Sequence, residues 1–477
     1  MNTPAPAATP LVVDLDGTLI RGDLLCEALF RLLRQRPWRL LHLLPALLRG
    51  RAALKARLAQ EVQLPVERLP WNQAVVEFIR TRREQGQPIW LATAADRRFA
   101  EAVARHLGLF ERVFASAPGD NLKGQRKYDA LRRAAPAGFD YIGDARADGP
   151  VLAGARRGWT VGPAAARLAR QAGAHVAVLP GSGPAGGRTA GLLQLIRPHQ
   201  WLKNALAFLP LVAAHQWHDT AAVAATAIVF AAFCLVASAA YVLNDLLDIE
   251  HDRRHPRKRA RPLAAGTVSQ PLAVLLVPIL LFAAAAFALH LPWPAVAVLF
   301  GYFVLTTLYS VYLKRITLVD ILALTLLYNL RILGGAVAAG ILLSYWLVGF
   351  TLLLFLALAT MKRVNEVQAL HGEQREMAAG RGYAQGDERL LLPLGIGCSV
   401  AATAILGLYT ISDHVAEGYS DVVFLGALVP VVLLWQGHLW LATIRGAMHD
   451  DPLVYAVRDG ATWVAALLVI ALFVAAL

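Results

Sequence analysis

A chain of 477 residues, 57% hydrophobic and only 17% charged, is too long and too apolar for one ordinary soluble domain; it reads as a membrane protein with a soluble part attached. A formal charge of +13 would suit nucleic acid, but the Lys and Arg fall largely between apolar runs, a distribution that favours membrane topology and anionic, phosphate-bearing substrates with no nucleic acid. Cys26, Cys234 and Cys398 stand far apart without metal-ligand spacing, so neither a disulfide framework nor a zinc site is indicated.

Asp14 and Asp16 interrupt the first hydrophobic run, so no basic segment followed by an apolar one opens the chain, and its front is expected to stay in the cytoplasm. Leu11-Val-Val-Asp14-Leu-Asp16-Gly17-Thr18 reads as a short buried strand with two carboxylates at its carboxyl end, where open α/β sheets place their ligands. Pro88-Ile-Trp-Leu-Ala-Thr93 is a second such run, ending in a hydroxyl. Phe139-Asp-Tyr-Ile-Gly143-Asp144, followed by Asp148, is a third, ending in carboxylates. Strands alternating with helical stretches imply βαβ units and a parallel sheet that gathers these groups at one edge.

Over residues 11 to about 180 these motifs resemble the haloacid dehalogenase superfamily of phosphohydrolases. Asp14 and Asp16 match its DxD motif, Thr93 its hydroxyl, Lys123 its lysine, and Asp144 with Asp148 its terminal acidic motif. Lys127 competes for the lysine's place, but Lys123-Gly124, just before a helix, fits better. The resemblance implies that Asp14 attacks phosphorus and that Asp16 protonates the leaving oxygen and later activates water, while Thr93 and Lys123 grip the phosphoryl oxygens. A carboxylate nucleophile divides the hydrolysis into two easier steps. Mg²⁺ held by Asp14 and Asp144, with Asp16 and Asp148 as further candidate ligands, lets two anions approach.

An insert of about 70 residues separates the first two motifs, where this superfamily places a helical cap. From Arg31 to Arg57 it holds eight Lys or Arg and no Asp or Glu among many leucines. Such helices lie readily on anionic membrane surfaces, at ~1 kcal/mol per basic residue near the surface. The turn-rich run Pro180 to Gly187 marks a boundary, giving a phosphatase-like domain at 1–180, a linker at 181–190 and a membrane domain at 191–477.

Nine apolar stretches follow, near 205–215, 222–243, 270–290, 293–312, 318–340, 345–361, 390–411, 421–441 and 461–477, predicting an all-α bundle of about nine transmembrane helices. Connections rich in Lys and Arg alternate with connections that have almost none. This places a multi-pass chain in the plasma membrane, its N-terminal domain cytoplasmic and its C-terminus outside. After the second stretch comes Asn244-Asp-Leu-Leu-Asp248-Ile-Glu-His-Asp252, with Asp245, Asp248 and Asp252 at i, i+3 and i+7. A continuing helix would put these carboxylates on one face, a hard-oxygen cluster suited to Mg²⁺ beside substrate phosphate.

This half resembles the UbiA superfamily of intramembrane prenyltransferases, and within it the polyprenyl-phosphate phosphoribosyltransferase branch. The residues that carry the likeness are Arg197-Pro-His-Gln-Trp-Leu-Lys203-Asn204, Asn244 to Asp252 continuing to Arg261-Pro262, Tyr309-Ser310 with Lys314, Arg331, Lys362-Arg363 with Glu366, and Asp451-Pro452 with Tyr455, Arg458 and Asp459. Aromatic prenyltransferases of the superfamily carry a second aspartate-rich motif after the sixth span. Here that position reads Met361-Lys362-Arg363-Val-Asn365-Glu366, which is basic. One acidic cluster and many cations suit one metal-bound diphosphate plus phosphates gripped by Lys and Arg.

The resemblance implies transfer of 5-phosphoribose from phosphoribosyl diphosphate to a polyprenyl phosphate. Asp245 and Asp248 would act with Asp252 in holding Mg²⁺. Lys203, Asn204, Asn244, Arg261, Tyr309, Lys314, Arg331, Lys362 and Arg458 are the candidate substrate contacts, and Arg331, set in an apolar span, is the most informative. Lys258 and Arg259 fit a topological role. The fused phosphatase would then remove the 5-phosphate, giving a polyprenyl-phosphoryl ribose for cell-envelope glycans. A homo-oligomer is compatible with this reading. The alternatives are an aromatic prenyltransferase with an accessory phosphatase domain, and a transporter with a sensor domain, for which no internal repeat is visible.

Overall fold

The computed structural model describes residues 9–117, 120–162, 164–181, 187–255, 258–373, 382–412, 419–448 and 451–477; the middle of the expected linker, 182–186, and Pro256 and Arg257 of the basic run lie outside them. The chain divides into two compact units, Met1–Arg197 with Tyr241–Ile279, and Pro198–Ala240 with Leu280–Leu477.

In the first unit six short strands, β1 (Leu11–Val13), β2 (Ile89–Asp96), β3 (Arg112–Ser116), β4 (Asp140–Gly143), β5 (Gly158–Thr160) and β6 (Val176–Val178), form one sheet in the order β3-β2-β1-β4-β5-β6. All its pairings are parallel. A parallel sheet is covered on both faces, and β1 shows it. Leu11 and Val13 pack into a core with Leu19, Ile79 and Phe99, whereas Val12 packs into the opposite core with Trp90, Leu131 and Tyr141. The order in which strands are added reverses at β1, outward to β2 and β3 on one side and to β4, β5 and β6 on the other, so the carboxyl ends of β2, β1 and β4 flank the crevice where such sheets bind ligands.

Helices α1 (Leu24–Gln35), α2 (Leu44–Leu48), α3 (Arg51–Glu61) and α4 (Gln73–Glu84) fill the interval between β1 and β2, with a 3-10 stretch, Pro37–Leu43, before α2. The expected cap is therefore helical. Its basic run, however, is divided by Pro37 and Pro45 into short turns that leave Trp38, Leu41, Leu44, Leu47 and Leu48 exposed.

The same unit takes in the carboxyl end of a 35-residue helix, Thr220–Arg254. At 1.5 Å per residue this helix is ~50 Å long against the ~30 Å of a hydrocarbon core, so its aspartate-bearing end continues beyond a span as expected. Past it, the Thr267 amide and hydroxyl both donate to the Pro262 carbonyl, at 2.9 and 3.1 Å, closing a tight loop before the helix Gln270–Ala288.

Among the described residues seven helices are long and apolar enough to cross a membrane, or up to eight if the pair Pro452–Arg458 and Gly460–Ala476, bent by 84°, forms one span. The expectation of nine is corrected at 205–215. There Pro198 and Pro210 punctuate a 3-10 helix, Pro198–Phe208, and a five-residue α-helix, Leu209–Ala213, short of the ~20 α-helical residues a full span needs. In the second unit this segment lies against the helix Val319–Ala339, where a Cβ on Gly335 would sit 1.8 Å from the Ala207 carbonyl oxygen. Only glycine allows two backbones to come so close.

Candidate active sites

Asp14 immediately follows β1, Thr93 lies in β2 and Asp144 immediately follows β4, and the sheet brings them to one cavity of about 470 Å³ that Asp16, Lys123, Lys127 and Asp148 also line. Gly17 makes the turn after Asp14 with φ +78°, and a Cβ there would stand 2.2 Å from Asp144 Oδ2. Asp14, Asp144 and Asp148 offer ligand oxygens that all lie within 4.8 Å of one another. Hard oxygen donors so crowded fit a divalent cation, whose charge offsets their mutual repulsion.

The electrostatics separate the two carboxyls of the first motif. Burial raises Asp14, the nearby ammonium of Lys127 opposes this, and the carboxyl settles at about 6. Asp16 is pushed up to about 8 by burial and then by Asp23, so it keeps its proton at neutral pH. Carboxyls whose environments drive them apart in this way suit a nucleophile beside an acid. Asp144 is raised well above the usual range by burial, then by Asp14 and Asp148. The Thr93 hydroxyl accepts from the Ala95 amide at 3.0 Å.

The lysine preference reverses. Lys127 Nζ, buried, donates to Asp14 Oδ1 at 2.8 Å, to Asp148 Oδ1 at 3.0 Å and to the Tyr141 hydroxyl at 3.0 Å. Burial works against its charge, but Asp14 and Asp148 outweigh it and raise its pKa. Lys123 lines the cavity before α5 (Gln125–Ala134), whereas Lys127 sits in the first turn of that helix, on its buried side. Tyr141, whose hydroxyl also accepts from Lys127, carried no signal in the sequence beyond its place in an apolar strand.

Asp245, Asp248 and Asp252 all lie on the helix Thr220–Arg254, but not with one set of partners. Arg197 forks onto Asp245 at 2.6 and 2.9 Å, and Arg261 bridges Asp245 at 3.3 Å and Asp252 at 2.7 Å. Asp248 pairs with Arg34 of α1 at 3.3 Å. At 100° per residue Asp252 is ~20° from Asp245 around the helix but Asp248 is ~60° away, which is why one arginine reaches only the first two. Two further pairs join α1 to this helix end, Arg31 with Glu250, and Glu27 with Arg253 at 2.6 and 3.1 Å. Asn244 is half-buried beside Asp245.

In the second unit, Lys203 and Lys362 converge on one carboxylate, Asp451 Oδ2, at 2.9 and 2.8 Å. Arg331 is buried, its guanidinium bonded to Asn204 Oδ1 and the Tyr302 hydroxyl, both at 2.7 Å, and to the Leu327 carbonyl. Asn204, at 3.3 Å, also donates to the Cys234 sulfur. The basic replacement after the sixth apolar stretch is thereby resolved into two roles. Arg363 is fully buried, paired with Asp320 and Glu366 and donating to the Tyr309 hydroxyl at 2.8 Å, while Lys362 is part of the two-lysine cluster. Lys314 stands half-buried in a 3-10 turn, Leu313–Arg315, and Arg458 ends the helix Pro452–Arg458, exposed.

The chain matches the model of the UbiA prenyltransferase family over residues 205–448 and that of the haloacid dehalogenase-like hydrolases over residues 11–153. It is 36% identical over 472 residues to the uncharacterized protein y4nM of Sinorhizobium fredii, covering 98% of this chain and 91% of that one. It is 30% identical over 280 residues to the decaprenyl-phosphate phosphoribosyltransferase of Mycobacterium tuberculosis, covering 58% of this chain and 90% of that one. A solved UbiA homolog from Archaeoglobus fulgidus, bound to GPP and Mg²⁺, is similar with a TM-score of 0.45 at 14% identity, over 59% of this chain and 99% of that one.

Proposed function

We propose, for a chain that belongs to the UbiA prenyltransferase family and carries a haloacid dehalogenase-like hydrolase domain in front of it, two consecutive reactions on one lipid. The membrane domain transfers 5-phosphoribose from phosphoribosyl diphosphate to a polyprenyl phosphate. The front domain then hydrolyses the 5-phosphate, leaving a polyprenyl-phosphoryl ribose for envelope glycans. The observation that carries the first step is the pair Lys203 and Lys362 on the single carboxylate of Asp451, which leaves one positive charge in excess where an anion can bind.

In the transfer, the bond from the anomeric carbon to the diphosphate oxygen breaks and a bond to the lipid phosphate oxygen forms. The nucleophile is already an anion, so positioning and charge stabilisation supply the catalysis. Asp245, Asp248 and Asp252 would hold Mg²⁺, which supplies counter-charge to the diphosphate. Lys203, Arg331 and Lys362 hold and orient phosphate oxygens, with Asn204 fixing Arg331, and with Asn244, Arg261, Tyr309, Lys314 and Arg458 as further contacts.

In the hydrolysis, an Asp14 oxygen attacks phosphorus while the Asp16 proton passes to the departing ribose oxygen. Asp16 then takes a proton from the water that opens the aspartyl-phosphate. Asp144 and Asp148 would share Mg²⁺ with Asp14, and Thr93, Lys127 and Lys123 hold the phosphoryl oxygens. Purified protein given ribose-labelled phosphoribosyl diphosphate and a polyprenyl phosphate should move label into the lipid phase. Label that remains in water while an allylic diphosphate prenylates an aromatic acid would instead establish the aromatic prenyltransferase.

The positive-inside pattern keeps the N-terminal domain cytoplasmic and the C-terminus outside. The cap rests on the anionic inner leaflet, for which the support is an exposed apolar patch, Trp38 at 63% and Leu48 at 90% with Leu41, Leu44 and Leu47, flanked by exposed Arg36 and Arg49. An environment-sensitive dye on Leu48→Cys should shift to the blue in anionic nanodiscs relative to neutral ones. An equal response in both would remove the anionic-surface contact.

A further inference from the structure

The phosphatase cavity is not built from the front domain alone. Gly266, Thr267, Ser269 and Pro271, which follow the aspartate-rich helix in sequence, line it together with Asp14, Asp16 and Arg21. This wall is fixed in place. Gly266, at φ +70°, lies so close to Arg21 that a Cβ there would be 2.5 Å from both the Arg21 Cβ and its carbonyl oxygen. Glu27 of α1, buried, accepts from Gln270 Nε2 and from two nitrogens of Arg253, while Arg253 Nε donates to the Ala264 carbonyl at 3.2 Å.

The cations along the cavity are unequally used. Lys127 is committed to Asp14 and Asp148, and Lys55 Nζ donates to the Ala94 carbonyl at 2.6 Å. Among the described residues the Arg21 side chain makes one long hydrogen bond, 3.5 Å from its terminal nitrogen to Asn72 Oδ1, and its Nε is buried without a hydrogen-bond partner. A buried guanidinium N–H left unpaired is costly, and an anionic oxygen in the cavity would remove that cost. The volume, about 470 Å³, holds far more than one phosphoryl group.

We propose that Arg21 and the wall Gly266–Pro271 packed on it form a subsite for a second, non-scissile phosphate. The phosphatase thereby selects a phosphomonoester whose sugar also bears a phosphodiester. This rests on the function proposed above for the identity of that compound, since the membrane reaction leaves a 5-phosphate and a 1-phosphodiester on one ribose. A sugar with a single phosphate fills the scissile position and leaves Arg21 unsatisfied.

The test uses the full chain in detergent and a synthetic ribose 5-phosphate whose anomeric oxygen carries a short-alkyl phosphodiester, so that no transferase step is needed. Wild-type protein should prefer it to ribose 5-phosphate by about tenfold or more in kcat/KM. Arg21→Met should raise its KM about tenfold, with a much smaller change in kcat and in KM for p-nitrophenyl phosphate, and Arg21→Lys should recover part of the loss. Ser269→Trp, which narrows the wall without touching Arg21, should raise the same KM selectively and covers the case in which Arg21→Met fails to fold. No preference in the wild type, or equal losses on all three substrates, overturns the subsite. Failure to label lipid from phosphoribosyl diphosphate overturns the transferase reading instead, and leaves this comparison to stand or fall by itself.

Discussion

Asp14→Asn should stop phosphate release while lipid labelling from phosphoribosyl diphosphate continues, so that the lipid product accumulates heavier by one phosphoryl group. Asparagine keeps the shape of the side chain but has no anionic oxygen to attack phosphorus, and loss of a covalent nucleophile costs on the order of a thousandfold or more. Its neighbours should stay in place. Lys127 retains Asp148 and the Tyr141 hydroxyl, both at 3.0 Å, and the amide oxygen of the substituted side chain can still accept from it. Mass spectrometry of the extracted lipid, with and without the substitution, reads both activities in one sample. Phosphate released at an undiminished rate by the variant would remove Asp14 from the chemistry. A variant that also stops labelling lipid would show that the two halves are not separable reactions.

The front domain was legible because its candidate site residues sit at or near the carboxyl ends of strands. Apolar runs that stop at Asp14, Thr93 and Asp144 announce β1, β2 and β4, and a parallel sheet aligns those ends without further information. That Lys127, rather than Lys123, reaches Asp14 has a local reason. Helix α5 does begin just after Lys123-Gly124, but the side chain that reaches inward is set by which side of its first turn is buried, and that side carries Lys127. The aspartate spacing correctly announced a continuing helix. What it concealed was that a 60° offset hands Asp248 to a different cation from Asp245 and Asp252. No local pattern could announce that this cation is Arg34, more than 200 positions earlier in the chain. Hydropathy likewise overcounted the spans, since it registers apolar composition at 205–215 but not the prolines and the 3-10 geometry that keep the segment short.

Asp248→Asn should abolish lipid labelling, by on the order of a hundredfold or more, and with it the phosphate release that depends on the lipid product. Of the three aspartates this one gives the cleanest experiment. Asp245 and Asp252, each 2% exposed, hold the buried network of Arg197 and Arg261, so neutralising Asp245 takes the counter-charge from Arg197, and neutralising Asp252 leaves Arg261 only its 3.3 Å contact with Asp245, as well as removing a candidate ligand. Asp248 is more open, and in the first unit Arg34, its partner at 3.3 Å, keeps a nearby acceptor in the Leu247 carbonyl at 3.4 Å. The control lies in the same molecule. Because Arg31 and Glu27 still tie α1 to Glu250 and Arg253, the phosphatase cavity should survive, and the variant should dephosphorylate the synthetic ribose substrate at the wild-type rate. Loss of both activities on their own substrates would mean that Asp248 acts through the fold. Retained lipid labelling would take it out of the transferase site, and the acidic cluster would then be a structural clasp between the cap and the helix end.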